Sequence, residues 1–393
     1  MISGRVPKTT KIFFFICESN NKPKSYHNDN NNEYSYNKNV TIIIDFKMMP
    51  KFFFIAFLSG LTSFVLIRIV IFFAHKKKIL VVPNKRSVHL IPTPALGALG
   101  FVTIFYITIL ITWTLFFQQS FLFLKVLLLS IPIFVCGVLD DFRELSVLLR
   151  LSIQTFMASV SYVLGFKIEM IQLPFLNLDV NIFSCFVSVF FIVAMTNLFN
   201  FIDGLDGYLA GNSCIALTGL CFCFLANDQL KMAFICFVLI SNLMGFLFWN
   251  FPKAKIFMGN AGSYFLGFFI ALMSMLCDMN FSLSLVIPLI MFSVIIFDAS
   301  LTLIIRFFQK KKVWEPHQEH EYQKLFYLIK SQKKVVLFSY IHTFLLVLLG
   351  ILYSSSQKHV RLTLLIFCLL SLIIKYISVY YYYDKCRKKE SLF

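Results

Sequence analysis

The chain is short of charge. Only 14% of its 393 residues are Asp, Glu, Lys or Arg, while 59% are hydrophobic, against roughly 45–50% apolar in an ordinary soluble domain. That balance excludes a water-soluble globular architecture. What charge there is lacks acid, since 19 Asp and Glu stand against 36 Lys and Arg, a formal excess of +17. The ten cysteines include no CxxC pair. Most, such as Cys136, Cys185, Cys214, Cys236, Cys277 and Cys368, lie inside apolar runs, and Cys221 and Cys223 sit close together in another. They read as small hydrophobes, so neither a disulfide framework nor a thiolate metal site is indicated. There is no HExxH zinc signature, and no internal repeat of the kind many transporters carry.

What is present is a series of long apolar runs from about Phe52 to Tyr383, broken by short polar loops. This is the pattern of an all-α, polytopic membrane bundle. Spans are expected near 50–74, 95–117, 121–139, 148–165, 181–198, 208–226, 231–249, 261–277, 282–307, 334–353 and 361–383. That makes eleven, with ten or twelve as the neighbouring counts. The loops on one side carry about twenty Lys and Arg and those on the other about five, so the basic side is expected to be cytoplasmic. The basic excess therefore reads as topology, not as nucleic-acid binding.

Residues 1–47 differ in kind. SNNKPKSYHNDNNNEYSYNKN is polar, Asn-rich and aperiodic, and the KIFFFIC before it is too short for a signal-peptide core. The expectation is a disordered leader, and one reading leaves it untranslated, with Met48 or Met49 as the start. A membrane domain over 48–383 and a basic tail over 384–393 complete the organisation.

Five polar clusters fall on the basic side. Asp140 and Asp141 follow IPIFVCGVL directly, and adjacent carboxylates at a membrane boundary call for a compensating cation. NLFNFIDGLDG spaces Asn197, Asn200, Asp203 and Asp206 three apart, which on a helix makes one polar stripe. FMGNAGSYFLG places Asn260 and Ser263 where a span begins, suited to phosphate at a helix N-terminus or to close helix packing. EPHQEHEYQKL sets His317 and His320 among glutamates. PNKRSVHLIPTP supplies Lys85, Arg86 and His89, which suit a diphosphate. Arg306 lies within a span, eight residues after Asp298 on the same helix face, and leads into the histidine loop. Carboxylates, amides, histidines and cations on one face suit a diphosphate held by a hard, oxygen-loving cation such as Mg²⁺.

In that order, PNKRSVHLIPTP, GVLDDF, NLFNFIDGLDG, FMGNAGSYFLG and PHQEHEYQKL resemble the polyprenyl-phosphate N-acetylhexosamine-1-phosphate transferases, relatives of phospho-N-acetylmuramoyl-pentapeptide transferase. The resemblance runs from about residue 50 to 380 and is closest to the branch that initiates O-antigen and related surface polysaccharides. It implies transfer of a sugar 1-phosphate from a UDP-N-acetylhexosamine to undecaprenyl phosphate, with release of UMP. It further implies Mg²⁺, with Mn²⁺ as the alternative, a bacterial inner-membrane location with cytoplasmic catalytic loops, and a homodimer as the assembly common among relatives. Asp140 matches the family aspartate proposed as a base, with Asp141 its neighbour. Asn200, Asp203 and Asp206 match the nucleotide and metal motif, and His320, with His317 beside it, matches a histidine thought to hold the diphosphate. Lys85, Arg86, His89, Asn197, Ser263 and Arg306 are the further substrate-binding candidates.

Three positions depart from the pattern. Asn260 stands where the family has a metal-binding aspartate, and Ala95 and Leu96 replace a common Arg-Gly. The metal set is then Asp203 with the Asn260 amide, and a weakened homologue is the first alternative. A transporter or flippase for a lipid-linked or anionic substrate is the second. The loop from about Gln309 to Lys334 is expected to select the sugar.

Overall fold

The computed structural model describes residues 38–82, 91–117, 121–281, 283–315 and 317–390. Contacts divide the chain at Ile44. In the first unit only the helical residues 38–43 are described, and the helical bundle with its cavity belongs to the second. Of the expected leader, residues 1–37 lie outside the described residues, and 38–47 are helical. Lys85, Arg86 and His89 also lie outside them.

Nine helices among the described residues are long and apolar enough to cross a membrane. They are α1 (Lys38–Lys77, of which Met48–Lys77 is the span), α2 (Gly97–Phe116), α3 (Phe121–Phe142), α5 (Ser184–Ile202), α6 (Tyr208–Ala226), α7 (Leu230–Asn250), α8 (Gly259–Phe281), α12 (Gln332–Ser355) and α13 (Lys358–Glu390). The other two expected spans are present in altered form. One is the 17-residue α4 (Val147–Val163), started by Ser146, whose Oγ accepts from Leu149 N. The other is divided at Phe292 into α9 (Val286–Met291) and α10 (Ser293–Phe308). The basic segment 384–390, expected as a tail, continues α13 as helix. A hairpin, β1 (Met170–Gln172) with β2 (Asn177–Asp179), is antiparallel and joins α4 to α5. The short α11 (Glu321–Ile329) follows the histidine loop. This is a multi-pass membrane protein.

The bundle is built around α8, whose span is 94% buried. It packs most extensively against α3 and α5. Apolar burial does not drive helices together in lipid, so small residues that allow backbone approach have to do so. Gly137 on α3 is such a point, because an added Cβ would overlap Ala261 Cα and lie 2.7 Å from its nitrogen. Gly137→Ala is expected to cost about 1–3 kcal/mol by forcing the pair apart, read as a lowered Tm in detergent. The contact matters for function because Asp140 and Asp141 lie in the last turn of α3 and Asn260 in the first turn of α8.

Candidate active site

Asp140 is buried at the end of α3 and surrounded by donors. Its Oδ1 accepts from Leu145 N at 2.8 Å, and its Oδ2 accepts from Arg150 Nη1, Tyr264 Oη and Asn260 Nδ2, each at 3.0 Å. Arg150 also donates to Tyr264 Oη at 3.0 Å. Four donors, one of them charged, make this carboxylate a structural anchor for three segments. Asp141 does something different. It accepts from Asn260 N at 2.7 Å and Ala261 N at 3.1 Å, and so caps the exposed amides at the start of α8. Gly259 makes this approach workable, with φ +79° and no Cβ to strike Asp141 Oδ2 or Ala95 O.

The polar stripe of the α5–α6 region is only partly a stripe. Asn197 turns to α4, donating to Gln154 Oε1 at 2.6 Å, and does not line the cavity that Asn200 and Asp203 share. Asn200 donates to Asn260 Oδ1 at 2.8 Å and Ser263 Oγ at 2.9 Å. The expected shared helical face for Asp203 and Asp206 is corrected by the fold. Helix α5 ends at Ile202, and both aspartates lie in the turn before α6. Asp206 Oδ2 accepts from Ala254 N at 2.9 Å. The turn is pinned from two sides, by Asn250 Oδ1 accepting from Gly207 N at 2.8 Å and by Tyr340 Oη donating to Gly207 O. Asp203 itself makes no side-chain hydrogen bond or ion pair among the described residues. Burial, then the charges of Asp141 and Asp206, push its carboxyl up to about 7.

The two histidines exchange prominence. His317 faces the cavity, whereas His320 is 2% exposed, with its ring 4.7 Å from that of His317 and stacked 5.7 Å from Tyr322. Its Nδ1 lies 3.5 Å from Oδ1 of Asp298. Asp298, 1% exposed, accepts from Glu321 N at 2.8 Å and Tyr322 N at 3.3 Å, so it holds the first turn of α11. Arg306 is not at the cavity either. It pairs with Glu319 at 3.1 Å and donates to Lys312 O at 2.8 Å, strapping the loop from behind. Helix α13 adds Lys375 Nζ on Glu321 Oε2 at 2.8 Å and Tyr380 Oη on Glu319 O at 2.8 Å.

His317 is neutral at physiological pH. Burial, with His320 and Arg306 nearby, pushes its imidazole down to about 4. Its Nδ1 accepts from Glu319 N at 3.4 Å, which leaves the proton on Nε2. Between pH 6.5 and 4 the unfolded chain then binds more protons at this residue than the folded one, so its contribution is lost as pH falls through that window. His317→Gln is expected to flatten the acid side of the Tm–pH curve between about pH 7 and 4.5, relative to wild type.

Asp140, Asp141, Asn200, Asp203, Asp206, Asn260 and His317 line one cavity of about 500 Å³, with Glu144, Gln318 and Gln323. Ser263 sits behind Asn200. Among the described residues no three His, Cys, Asp or Glu side chains form a closed metal cage. The donor set nevertheless fits a hard cation. Asp203 and Asp206 are carboxylates and Asn200 has an amide oxygen that accepts no hydrogen bond among the described residues, while Asp203 is a half-buried acid facing the charges of Asp141 and Asp206. Mg²⁺ characteristically takes one or two carboxylates and keeps positions open for water and substrate phosphate. Sequence reasoning missed Tyr264 and Gln154, although each lies four residues beyond a polar residue already singled out or charged, Asn260 and Arg150.

Comparison with known proteins places this arrangement. The profile described as Glycosyl transferase family 4 matches residues 123–278. A probable undecaprenyl-phosphate N-acetylglucosaminyl 1-phosphate transferase of Bacillus subtilis is 34% identical over 249 residues, 62% of this chain and 68% of the relative. The chain belongs to glycosyl transferase family 4. Within this family, the undecaprenyl-phosphate alpha-N-acetylglucosaminyl 1-phosphate transferase of Thermotoga maritima is 32% identical over 54% of the chain and 62% of its own length. A phospho-N-acetylmuramoyl-pentapeptide-transferase of Listeria welshimeri is 31% identical over 49% and 64%. The chain thus spans about two thirds of the length of these relatives. The profile match takes in every cavity residue from Asp140 to Asn260 and stops before the histidine loop.

Proposed function

We propose that the protein transfers an N-acetylhexosamine 1-phosphate from a UDP-sugar to undecaprenyl phosphate, releasing UMP, and so begins a lipid-linked O-antigen or other envelope polysaccharide. The observation that carries this reading is the cavity itself. It joins Asp141, Asp203, Asp206 and His317 at the end of the bundle where the basic loops gather, in a family with relatives named as undecaprenyl-phosphate N-acetylglucosaminyl 1-phosphate transferases. The basic end is then the cytoplasmic face of a bacterial inner membrane.

In this reaction a phosphate oxygen of the lipid attacks the phosphorus bonded to the sugar, and the bond from that phosphorus to the UMP oxygen breaks. The nucleophile needs little help, since a phosphate monoester loses its second proton near about pH 6. Catalysis is therefore positioning and charge neutralisation. Asp203, Asp206 and the Asn200 amide oxygen would hold Mg²⁺, or Mn²⁺, which supplies neutralisation of the diphosphate and of the departing UMP. Asp140, with four donors already on it, orients Arg150, Tyr264 and Asn260. Asp141 fixes the start of α8. The His317 Nε2–H offers a neutral donor to the diphosphate, with His320 and Asp298 positioning it, and Lys85, Arg86 and His89 are the proposed cations for the phosphates. The loop bearing Gln318 is the proposed sugar selector.

The test is UMP release from proteoliposomes given undecaprenyl phosphate, Mg²⁺ and a panel of UDP-N-acetylhexosamines. Release that needs both lipid and cation establishes the transferase and names the sugar. Movement of lipid-linked sugar between leaflets without UMP would assign a transporter instead.

A further inference from the structure

The amide of Asn260 is used at both ends. Its Nδ2 donates to Asp140 Oδ2 at 3.0 Å, and its Oδ1 accepts from Asn200 Nδ2 at 2.8 Å. These roles cannot be exchanged. A carboxylate only accepts, so Asp140 fixes which end of Asn260 faces it. Asn260 then presents its oxygen to Asn200, which must answer with its NH₂ group. That NH₂ is also bound to Ser263 Oγ at 2.9 Å. The remaining atom, Asn200 Oδ1, is left as a carbonyl oxygen at the cavity wall.

We propose that Asn260 is a cation-independent bridge: its amide ties Asp140 to Asn200, sets the Asn200 oxygen toward the cavity, and replaces with a hydrogen bond what an acid at this position would need a cation to hold. Of the two amides, Asn260 Oδ1 already accepts a hydrogen bond while Asn200 Oδ1 accepts none among the described residues, which makes Asn200 the freer ligand. The metal set anticipated from the sequence, Asp203 with Asn260, therefore becomes Asp203 and Asp206 with Asn200. An aspartate at 260 would still accept from Asn200, but it would bring a second carboxylate oxygen to within about 3 Å of Asp140, in the contact now made by an N–H donor. Arg150 Nη1 and the Tyr264 hydroxyl already donate to Asp140. The inference concerns packing and holds whichever reaction the cavity supports.

The experiment is thermal unfolding of the full chain in detergent at about pH 8, for wild type and Asn260→Asp, in EDTA and in millimolar Mg²⁺. Wild type is expected to show one cooperative transition in EDTA. The variant is expected to lose several degrees of Tm in EDTA and to gain more from Mg²⁺ than wild type does. Equal Tm values in EDTA, or equal gains from Mg²⁺, would overturn the bridge. Should Asn260→Asp not fold in either condition, wild type decides. Retention of its transition in EDTA upholds a cation-independent bridge, and loss of it overturns the proposal.

Discussion

Asp203→Ala is expected to reduce UMP release by about 10³-fold, the scale of removing one preorganised group that meets developing charge, while leaving Tm unchanged or raised. The two halves of this result have one cause. Asp203 makes no side-chain hydrogen bond or ion pair among the described residues. Its carboxyl is pushed up to about 7 by burial and by Asp141 and Asp206. Such a group costs stability in the absence of its ligand and is retained for what it binds. UMP assays beside melting curves with EDTA check both halves. Full activity in the variant would remove Asp203 from the site, and a collapse of Tm would make it a structural residue.

Asp140→Ala is expected to give the opposite pattern, a loss of about 1–3 kcal/mol of stability because a half-buried Arg150 and three neutral donors lose their common acceptor. Arg150, Tyr264, Asn260 and the Leu145 amide all lose their acceptor together. The measurement is Tm and recovery of monodisperse protein, with activity assayed only on the folded fraction. A variant that melts like wild type but releases no UMP would return Asp140 to the role of base that the family resemblance implies.

Much of this site is legible in the sequence alone, because bilayer chemistry leaves few uses for a strongly polar or ionisable side chain. Asp140, Asp141, Asp203, Asp206, Asn200 and His317 stand out on that ground, and all six line the cavity. The misplacements have specific causes. Three-residue spacing implies a shared face only while the helix continues, and α5 stops at Ile202, so the Asp203–Asp206 relation is that of a turn. Asn197 fits the same spacing but looks toward Gln154, because a helix inside a bundle has several buried faces. His320 and His317 cannot be ranked from sequence, since the burial of one depends on Asp298, more than twenty residues earlier in the chain. The division at Phe292 is equally silent, as apolar residues continue on both sides of it.

The ties from α13 to the histidine loop carry a consequence for biosynthesis. Lys375 holds Glu321, and Tyr380 holds the carbonyl of Glu319. Both partners emerge from the ribosome about fifty to sixty residues after the loop they secure, since chains are made from the N-terminus. The cavity's carboxylates, from Asp140 to Asp206, are in the membrane long before that. The wall bearing His317 is secured by α13, the last of the described helices, so a nascent chain carries its acidic half-site for some time before the contacts that fasten this wall can form.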